Sequence, residues 1–222
     1  MPAGLELFFD PVCPFCWVTS HWIEEVRDQT AISVRYRPIS LRMLNPQHPL
    51  DSPMGAVHQR GLQLLRVAQA TADAYGDTAV ARLYTLLGTA IHERDVVGAD
   101  DFDDVAALQA GRPEDIPGLL RRAQLPVGLA DATTDTSFDA AIRASTTTAL
   151  ERAGEDVGTP VLTFGPPDGP SFFGPILSQV PRGQRAVELF EATRTLAEHR
   201  PFTELKRSLR DLPDVPALAT LR

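Results

Sequence analysis

Hydrophobic and polar positions along the chain follow two periods, and their order predicts where strands and helices lie. Residues 5–9 predict a short strand, and residues 18–27 behind them have the spacing of a helix. Residues 32–40 alternate apolar and polar side chains, which predicts a second strand. A strand, a helix and a strand in this order predict a βαβ unit at the start of the chain.

Between Pro53 and about Ala153 the chain is rich in Ala, Leu, Thr and Arg and shows no convincing strand. Ser52 as N-cap and Pro53 in the first turn predict a helix start, and Gly76 predicts its end. Four further helices are predicted, over 79–93, 101–110, 114–123 and 136–153. The segment has no internal period, so we interpret it as a helical insertion and not as a repeat array.

After the insertion the pattern returns to short strands. Residues 161–164 and 171–174, joined by a turn rich in Gly and Pro, predict a β-hairpin. A helix over 184–199 follows, and residues 202–209 are expected to add a short helix. The proline-containing tail from Asp211 is expected to be extended or frayed.

The 222 residues, 43% of them apolar, are enough for a buried core and for one or two domains. We predict an α/β fold in which a large all-helical insertion separates a βαβ half from a ββα half. The predicted division places the α/β domain at 1–50 and 154–210, the insertion at 53–153 and an extended tail at 211–222.

Charge narrows the possible functions. The chain has 21 Lys and Arg against 29 Asp and Glu, a formal net charge of −8, which argues against binding nucleic acid or an anionic membrane surface. No stretch approaches the roughly eighteen apolar residues of a membrane span, and the N-terminus lacks the basic start and long apolar run of a signal peptide. We therefore expect a cytoplasmic location, where a cysteine pair is more often catalytic than structural.

Both cysteines lie in one motif, Cys13-Pro14-Phe15-Cys16, between the first predicted strand and the first predicted helix. This junction puts Cys13 at a helix N-terminus, where unpaired backbone N–H groups and the helix dipole favour a thiolate. The i, i+3 spacing brings Cys16 onto the same face, within reach of a disulfide, and Pro14 suits the first helical turn. We predict that Cys13 and Cys16 are a catalytic dithiol.

Two other roles for the cysteines, a zinc site and a structural pair, are less well supported by the sequence. Zinc normally takes four ligands, the chain has no second Cys-x-x-Cys, and His21 would point away from Cys13 around the helix, so no metal site is expected. Inert structural cysteines are disfavoured by Pro14 and by the strand–helix context. We interpret His58 and His92, on predicted helices, as surface or packing residues.

Several motifs together resemble a known family. The Cys-Pro-Phe-Cys motif, the helical insertion and Thr159-Pro160 before a strand resemble the DsbA-like thioredoxin family. A narrower resemblance, to actinobacterial mycothiol-dependent nitroreductases and disulfide oxidoreductases, spans most of the chain from residue 5 to about 210. It is carried by residues 10–14, 40–45, 154–160, 172–175 and 180–183.

The resemblance implies a thioredoxin-like fold and thiol–disulfide oxidoreductase activity, with mycothiol or another small thiol as co-substrate and no tightly bound cofactor. It also implies that Thr159-Pro160 is cis and faces the cysteine pair, so that the backbone of residue 159 can pair with a substrate chain. The partners are then a small thiol and a disulfide or electrophilic substrate, and formation of a homodimer is left open. The candidate substrate-binding residues are Pro14, Phe15, Trp17, Asn45, Thr159 and Pro160.

The expected mechanism uses both thiols: Cys13 attacks, Cys16 resolves the mixed disulfide, and a small thiol or a reductase restores the pair. Glu6 and Asp10 are the nearest carboxylates, and a solvated Glu6 and a turn-capping Asp10 are expected before a proton relay. Phe15 stands where the nitroreductases carry Trp. General disulfide or mixed-disulfide reduction is therefore the expected activity, with nitro-aromatic or other electrophiles as further substrates.

Two other functions stay open. An isomerase or kappa-type glutathione-transferase-like enzyme would bind a thiol cofactor without dithiol chemistry, and the second cysteine counts against it. A non-catalytic module would use the proline loop only to dock peptides. Loss of disulfide reduction in Cys13→Ser would separate this module from an enzyme.

Overall fold

A four-stranded sheet is the centre of the computed structural model, which describes residues 4–208 and 211–222. The strands are β1 (Gly4–Phe9), β2 (Ser33–Pro38), β3 (Val161–Phe164) and β4 (Ser171–Phe173). Their order is β2-β1-β3-β4, with β1 parallel to β2, β3 antiparallel to β1, and β4 antiparallel to β3. Each strand agrees with its predicted range to within two residues at either end. Residues 1–3 of the predicted first domain lie outside the description.

Helices cover both faces of this sheet. They are α1 (Pro14–Gln29), α2 (Leu41–Leu44), α3 (Pro53–Tyr75), α4 (Asp77–His92), α5 (Phe102–Ala110), α6 (Ile116–Arg122), α7 (Asp139–Ala153) and α8 (Gln184–Glu198). Short 3₁₀ segments cover Val127–Thr133, Thr136–Phe138 and Pro216–Leu221. Within the described ranges, we find no helix that combines the length and the apolar character needed to cross a bilayer.

One face of the sheet packs against α1 and α8. Leu5, Leu7 and Phe9, at alternate positions of β1, share a buried core with Trp22 of α1. The indole N–H of Trp22 donates a hydrogen bond to the carbonyl oxygen of Ala186 at 2.9 Å, which joins α1 to α8. This packing fixes the direction in which α1 leaves the sheet, and therefore the position of its N-terminus.

The opposite face of the sheet packs against α7. Phe8 and Val161 are fully buried there. Glu6 is on the same face of β1 and is 4% exposed, so the expectation of a solvated Glu6 is wrong. Its carboxylate accepts a hydrogen bond from Arg152 of α7 at 2.8 Å, and Arg35 lies 3.5 Å away. Paired arginines are what allow a carboxylate to be buried at this position.

The insertion between β2 and β3 has its own core. Leu64, Leu83, Leu87 and Leu120 of α3, α4 and α6 are each 0% exposed. Val12, from the turn that precedes the cysteines, belongs to the same buried cluster. The insertion is therefore packed directly onto the cysteine-bearing turn.

The segment after α8 differs from its prediction. No helix forms over residues 202–208, and Leu209, the last residue of the predicted helix, lies outside the described residues. Phe202 instead stacks on Phe172 of the edge strand β4, with ring centroids 5.7 Å apart. This contact with a distant strand overrides the local preference from which the helix was predicted.

The C-terminal tail is folded, so the prediction of an extended or frayed tail is wrong. Residues Pro216–Leu221 form a 3₁₀ segment. Val215, Ala217 and Leu218 are 2%, 0% and 3% exposed, in one core with Val105 of α5. Burial of these three apolar side chains offsets the entropy of ordering the tail, which its proline content alone did not indicate.

Candidate active site

The cysteine pair lies where β1 ends and α1 begins. Cys13 is the N-cap of α1, with extended backbone angles (φ −83°, ψ 114°), and Pro14 is the first helical residue. The Cys13 Sγ accepts a hydrogen bond from the backbone N–H of Cys16 at 3.4 Å. The Cys13 N–H in turn donates to the carbonyl oxygen of Asp10 at 3.0 Å. Cys13 thus occupies the position of a capping side chain, with its sulfur toward the positive end of the helix.

The two thiols are buried and differ in acidity. Both are free, with Cys13 5% exposed and Cys16 0% exposed. The hydrogen bond between the two thiols lowers the pKa of Cys13, and this outweighs the raising effect of burial. Burial raises the pKa of Cys16 well above its ordinary value. The pair therefore favours a thiolate at Cys13 beside a neutral thiol at Cys16.

A second loop, with a cis proline, faces the cysteines. The Thr159-Pro160 peptide bond is cis, as the resemblance implied. The Cys13 Sγ lies 3.8 Å from the carbonyl oxygen of Thr159, to which the thiol donates when it is protonated. The carbonyl oxygen of Pro160 accepts from the N–H of Gly174 at 2.8 Å, so this loop continues into the β3–β4 hairpin. Cys13 and Thr159, 146 positions apart in sequence, are thus brought into contact.

Asp10 caps the turn that carries Cys13, as predicted. One carboxylate oxygen accepts from the N–H of Val12 at 3.1 Å, and the other accepts from the N–H of Leu41 at 2.8 Å. Asp10 is 0% exposed, and burial raises its pKa to about 7. Because this pKa exceeds that of an unfolded aspartate, the carboxyl favours the fold most at acidic pH, and this contribution is lost as pH rises through about 7. Asp10 joins the cysteine turn to the start of α2.

The C-terminal end of α4 holds the cysteine turn from the insertion side. The Nε2–H of His92 donates to the carbonyl oxygen of Pro11 at 2.9 Å. Burial lowers the pKa of His92 to about 4, so the ring is neutral at physiological pH. The indole N–H of Trp17 donates to the Glu93 carboxylate at 2.7 Å, and the Trp17 ring stacks on His92. Two hydrogen bonds therefore connect the insertion to the residues that flank the cysteine pair.

The other four predicted substrate contacts, Pro14, Phe15, Trp17 and Asn45, have different environments in the structure. Pro14 and Phe15 are half-buried beside Cys13. Trp17 is 2% exposed, and its indole N–H is already bonded, so its predicted role as a substrate contact is not supported by its position. Asn45 is the C-cap of α2, and its side-chain N–H donates to the carbonyl oxygen of Leu41 at 3.0 Å. The roles of Pro14, Phe15 and Asn45 stay predictions.

A cavity of about 100 Å³ lies beside Cys13 and Pro14. Its wall comes from the cysteine turn, from α2 to α5 and from the C-terminal 3₁₀ segment. Most of the side chains in it are apolar, and they include Val12, Leu41, Val57, Val105, Ala217 and Leu218. A reactive sulfur at the edge of an apolar cavity is an arrangement that can orient a small substrate for attack.

Sequence reasoning missed two histidines near the site. His58 and His92 both line this cavity, and they are 5% and 1% exposed. The interpretation as packing residues fits their burial, but it gave no link to the cysteines. The helical spacing could have predicted that His58 is buried, because Leu62 and Leu65, on the predicted apolar stripe, lie four and seven residues after it on the same face. Among residues 4–208 and 211–222, no cluster of three or more side chains suits a metal ion.

The acidity of Cys13 has a direct test in alkylation. We expect the rate of iodoacetamide modification of the reduced protein to rise with pH through an inflection below about 8.5, the value of a free thiol. Because Cys16 is buried and its pKa is raised, one thiol per chain should react near neutral pH. Cys13→Ser is the control and should lose this fast phase. An inflection at the free-thiol value in the wild-type protein would contradict the expectation.

These features define a class of protein: a thioredoxin-like thiol–disulfide oxidoreductase with a helical insertion. The chain belongs to the Rv2466c-like family, described as mycothiol-dependent nitroreductase Rv2466c, whose defining sequence pattern matches residues 12–207. The match covers the cysteine pair, the insertion and the cis-proline loop. It ends before the C-terminal 3₁₀ segment.

One relative and two solved structures are similar to this chain. The protein Rv2286c of Mycobacterium tuberculosis, of uncharacterized function, is 29% identical over 208 residues, which cover 91% of this chain and 81% of the relative. A structure described as a protein disulfide isomerase from Nitrosomonas europaea has a TM-score of 0.51 at 14% identity and covers 87% of this chain and 97% of its own. One described as a DsbA oxidoreductase from Streptomyces coelicolor has a TM-score of 0.51 at 16% identity and covers 94% of both chains. The two structures confirm the predicted fold, a thioredoxin-like sheet with a helical insertion.

Proposed function

We propose that this protein reduces disulfides or other small electrophiles with Cys13 as nucleophile and Cys16 as resolving thiol. The Cys13 thiolate attacks one sulfur of the substrate, which forms a mixed disulfide and releases the other half as a thiolate. Cys16 then attacks the Cys13 sulfur, which releases the second half and leaves a Cys13–Cys16 disulfide. Two electrons pass from the dithiol to the substrate, and two further thiols must return them.

The geometry of the cysteine pair carries this proposal, because the Cys13 sulfur caps the N-terminus of α1 and accepts from the Cys16 N–H at 3.4 Å, and the acidities of the two thiols differ accordingly. A nucleophile needs to be a thiolate when the substrate arrives, and the pKa of Cys13 is lowered. A resolving thiol has to stay protonated until the mixed disulfide has formed, and the pKa of Cys16 is raised. Two inert structural cysteines would have no need of this difference.

The cis-proline loop supplies the proposed dock for the substrate. The carbonyl oxygen of Thr159 faces the Cys13 sulfur at 3.8 Å, so a chain attached to a substrate sulfur would pass along this backbone. Extended chains commonly bind such an edge by backbone pairing. Pro160 and its neighbours would then hold the substrate sulfur in line with Cys13.

We further propose that a low-molecular-weight thiol such as mycothiol restores the dithiol. Support comes from the family, whose description names mycothiol. The reaction belongs in the cytoplasm on this proposal, because a Cys pair kept reduced by a small thiol needs a reducing compartment. The insertion, residues 53–153, and the α/β part, residues 1–50 and 154–210, would act as two units of one enzyme, and a homodimer is an open possibility for its assembly.

A nitro-aromatic or another electrophilic ring compound is the second candidate substrate. The family description names nitroreduction, and the cavity beside Cys13 is apolar. Thiol-cofactor-dependent isomerisation, as in kappa-type glutathione transferases, is less well supported because it leaves Cys16 without a role. A peptide-binding module without catalysis leaves the acidity of Cys13 without a role.

Trapping with Cys16→Ser tests the proposal. Without the resolving thiol, Cys13 can attack but the mixed disulfide cannot be released within the protein. We expect this variant, purified from cells without reductant, to carry a covalent adduct on Cys13. Intact-mass spectrometry measures the adduct. A mass increment the size of mycothiol supports mycothiol as the co-substrate, and one the size of glutathione indicates another small thiol. Protein-sized adducts indicate reduction of protein disulfides.

The double variant Cys13→Ser, Cys16→Ser is the matched control and should carry none of these adducts. If Cys16→Ser also carries none while the wild-type protein reduces disulfides, the dithiol mechanism is wrong. An enzyme that binds a thiol without forming a covalent intermediate would then take its place.

A further inference from the structure

The C-terminal segment 215–218 closes the cavity beside Cys13. Ala217 and Leu218 line the cavity and are 0% and 3% exposed. They lie outside residues 12–207, the part of the chain that the family pattern describes. One wall of the cavity is therefore formed by residues that lie outside the family's sequence pattern.

This wall is a folded element with its own attachments. The N–H of Asp214 donates to the carbonyl oxygen of Ser178 at 2.7 Å, and the N–H of Leu218 donates to that of Val215 at 3.0 Å. The Arg222 guanidinium pairs with the Asp214 carboxylate across the 3₁₀ segment. The bond to Ser178 attaches the segment to the loop after β4, and the other two bonds lie within the tail, so the segment has a defined position, as a wall of a selective pocket requires.

One residue of the cavity lining, His58, has a buried polar atom without a hydrogen-bond partner among the described residues. Its Nδ1 is buried and has no hydrogen-bond partner within the described part of the chain. His92, the other histidine of the lining, already donates from Nε2 to Pro11. Burial lowers the pKa of both histidines to about 4, and none of the described lining residues is Lys, Arg, Asp or Glu. The described lining thus offers a ligand apolar contact, the neutral imidazole ring of His58 and the side-chain amide of Gln109.

We infer that segment 215–218 and His58 determine substrate specificity: they form an uncharged subsite beside Cys13 for a neutral, mainly apolar group of about one ring that carries a hydrogen-bonding atom. This inference deepens the proposed function and rests on it. A buried polar atom without a partner costs free energy that a ligand can recover by bonding to it. A charged group would lose its hydration on entering, and the described lining residues include no Lys, Arg, Asp or Glu to pair with it.

The size of the cavity sets the size of the group. Its volume is about 100 Å³. A cavity of about 150 Å³ lined by Leu, Ile and Phe holds one benzene ring, so a single ring that reaches past the cavity mouth toward the sulfur suits this space. The remainder of the substrate, on the far side of the disulfide, would lie outside the cavity.

The first test compares two aromatic disulfides in single-turnover reduction by the pre-reduced protein. 4,4′-Dithiodipyridine is neutral with one ring nitrogen on each side, and 5,5′-dithiobis(2-nitrobenzoate) has a carboxylate on each ring. Each reaction oxidises Cys13 and Cys16 to a disulfide and releases two coloured thiols, so no added reductant is needed. Rates are divided by those of free cysteine with the same disulfide, which removes intrinsic reactivity. We expect the protein to prefer the neutral disulfide.

Leu218→Ala is expected to raise the apparent Kd for 4,4′-dithiodipyridine roughly tenfold, with the maximal rate unchanged, as for loss of apolar contact in a hydrophobic subsite. Leu218→Met keeps the side-chain volume nearly unchanged and should raise the apparent Kd much less than Leu218→Ala does. Leu205→Ala, at a leucine that is 82% exposed, is the matched surface control. Equal rates of Cys13 alkylation in all four proteins would show that the nucleophile is intact.

His58→Phe tests the polar contact without changing the shape of the wall greatly. The readout is the ratio of rates for 4,4′-dithiodipyridine and diphenyl disulfide, which has no ring nitrogen. We expect this ratio to fall roughly fivefold in the variant relative to wild type, the effect of one lost neutral hydrogen bond. If Leu218→Ala does not fold, this measurement on His58→Phe still tests the subsite.

The outcomes separate this inference from the proposed function. If wild type reduces both disulfides but Leu218→Ala leaves the apparent Kd unchanged and His58→Phe leaves the rate ratio unchanged, the subsite is wrong and the oxidoreductase proposal stands. If the wild-type protein prefers the carboxylate-bearing disulfide, the uncharged subsite is also wrong. If the reduced protein reduces no disulfide, the proposed function fails and the subsite fails with it.

Discussion

Cys13→Ser is expected to lower the rate of disulfide reduction by roughly three orders of magnitude or more, the scale seen when an enzyme loses its nucleophile. A serine hydroxyl stays protonated near neutral pH and is a weak nucleophile without an adjacent base. Asp10, the nearest carboxylate in sequence, has both oxygens occupied by the N–H groups of Val12 and Leu41. It is therefore not free to activate a hydroxyl. The measurement is thiol release from a small aromatic disulfide by the reduced protein.

The comparison variant for this prediction is Cys16→Ser, which should keep the first step. It is expected to release one equivalent of thiol from the disulfide and then stop, because the mixed disulfide on Cys13 is not resolved. Cys13→Ser should show no such first equivalent. A Cys13→Ser protein with near wild-type activity, or one that releases the first equivalent through Cys16, would reverse the assignment of nucleophile and resolving thiol.

Local patterns allowed the cysteine junction to be predicted. A run of apolar residues, a turn with Pro11, and a proline after Cys13 are short-range signals, and they place Cys13 as the cap of α1 in the structure as in the prediction. The capping residues Ser52 and Gly76 located both ends of α3 for the same reason. Their signals depend on a few consecutive residues and need no knowledge of the fold.

Long-range contacts of the site had no such signal. The hydrogen bond of His92 to Pro11 and that of Trp17 to Glu93 join residues 81 and 76 positions apart. A solvated Glu6 was expected because strand alternation does not show that Arg152, from a helix much later in the chain, lies above it. Contact of Thr159 with Cys13 entered only through a family resemblance, since most X-Pro bonds are trans and the sequence alone favoured an ordinary turn.

The tail shows the same limit. Its prolines and its terminal position predicted an extended or frayed tail, whereas its apolar residues are buried in a core that also contains Val105 of the insertion. Sequence reasoning gave no link between Cys13 and three parts of the structure, which are the C-terminal end of α4, His58 and the tail. All three belong to or pack on the insertion. The insertion therefore does more than enlarge the protein, because it forms most of the wall of the cavity beside the reactive thiol.

Gly88→Ala tests how closely the insertion is fitted to the cysteine helix. Gly88 is in α4, and a Cβ at this position would overlap ring atoms of Trp17, which follows Cys16 directly. In an ordinary helix, replacement of Gly by Ala stabilises the helix by about 1 kcal/mol. Here either α4 or the Trp17 ring has to move, and overpacking of this kind costs about 1–3 kcal/mol, and more where backbone shifts.

We expect Gly88→Ala to lower the free energy of unfolding by about 2 kcal/mol net, or roughly 4–8 °C in Tm for a chain of this size. Displacement of Trp17 should also break its bond to Glu93, and the near-UV circular dichroism of the indole should weaken. Gly128→Ala is the control, because a Cβ at this exposed position meets nothing within 4 Å. It should leave Tm unchanged or slightly higher. Equal Tm values for the two variants would mean that α4 is not seated on Trp17, and the insertion would then be a loosely attached unit rather than part of the site.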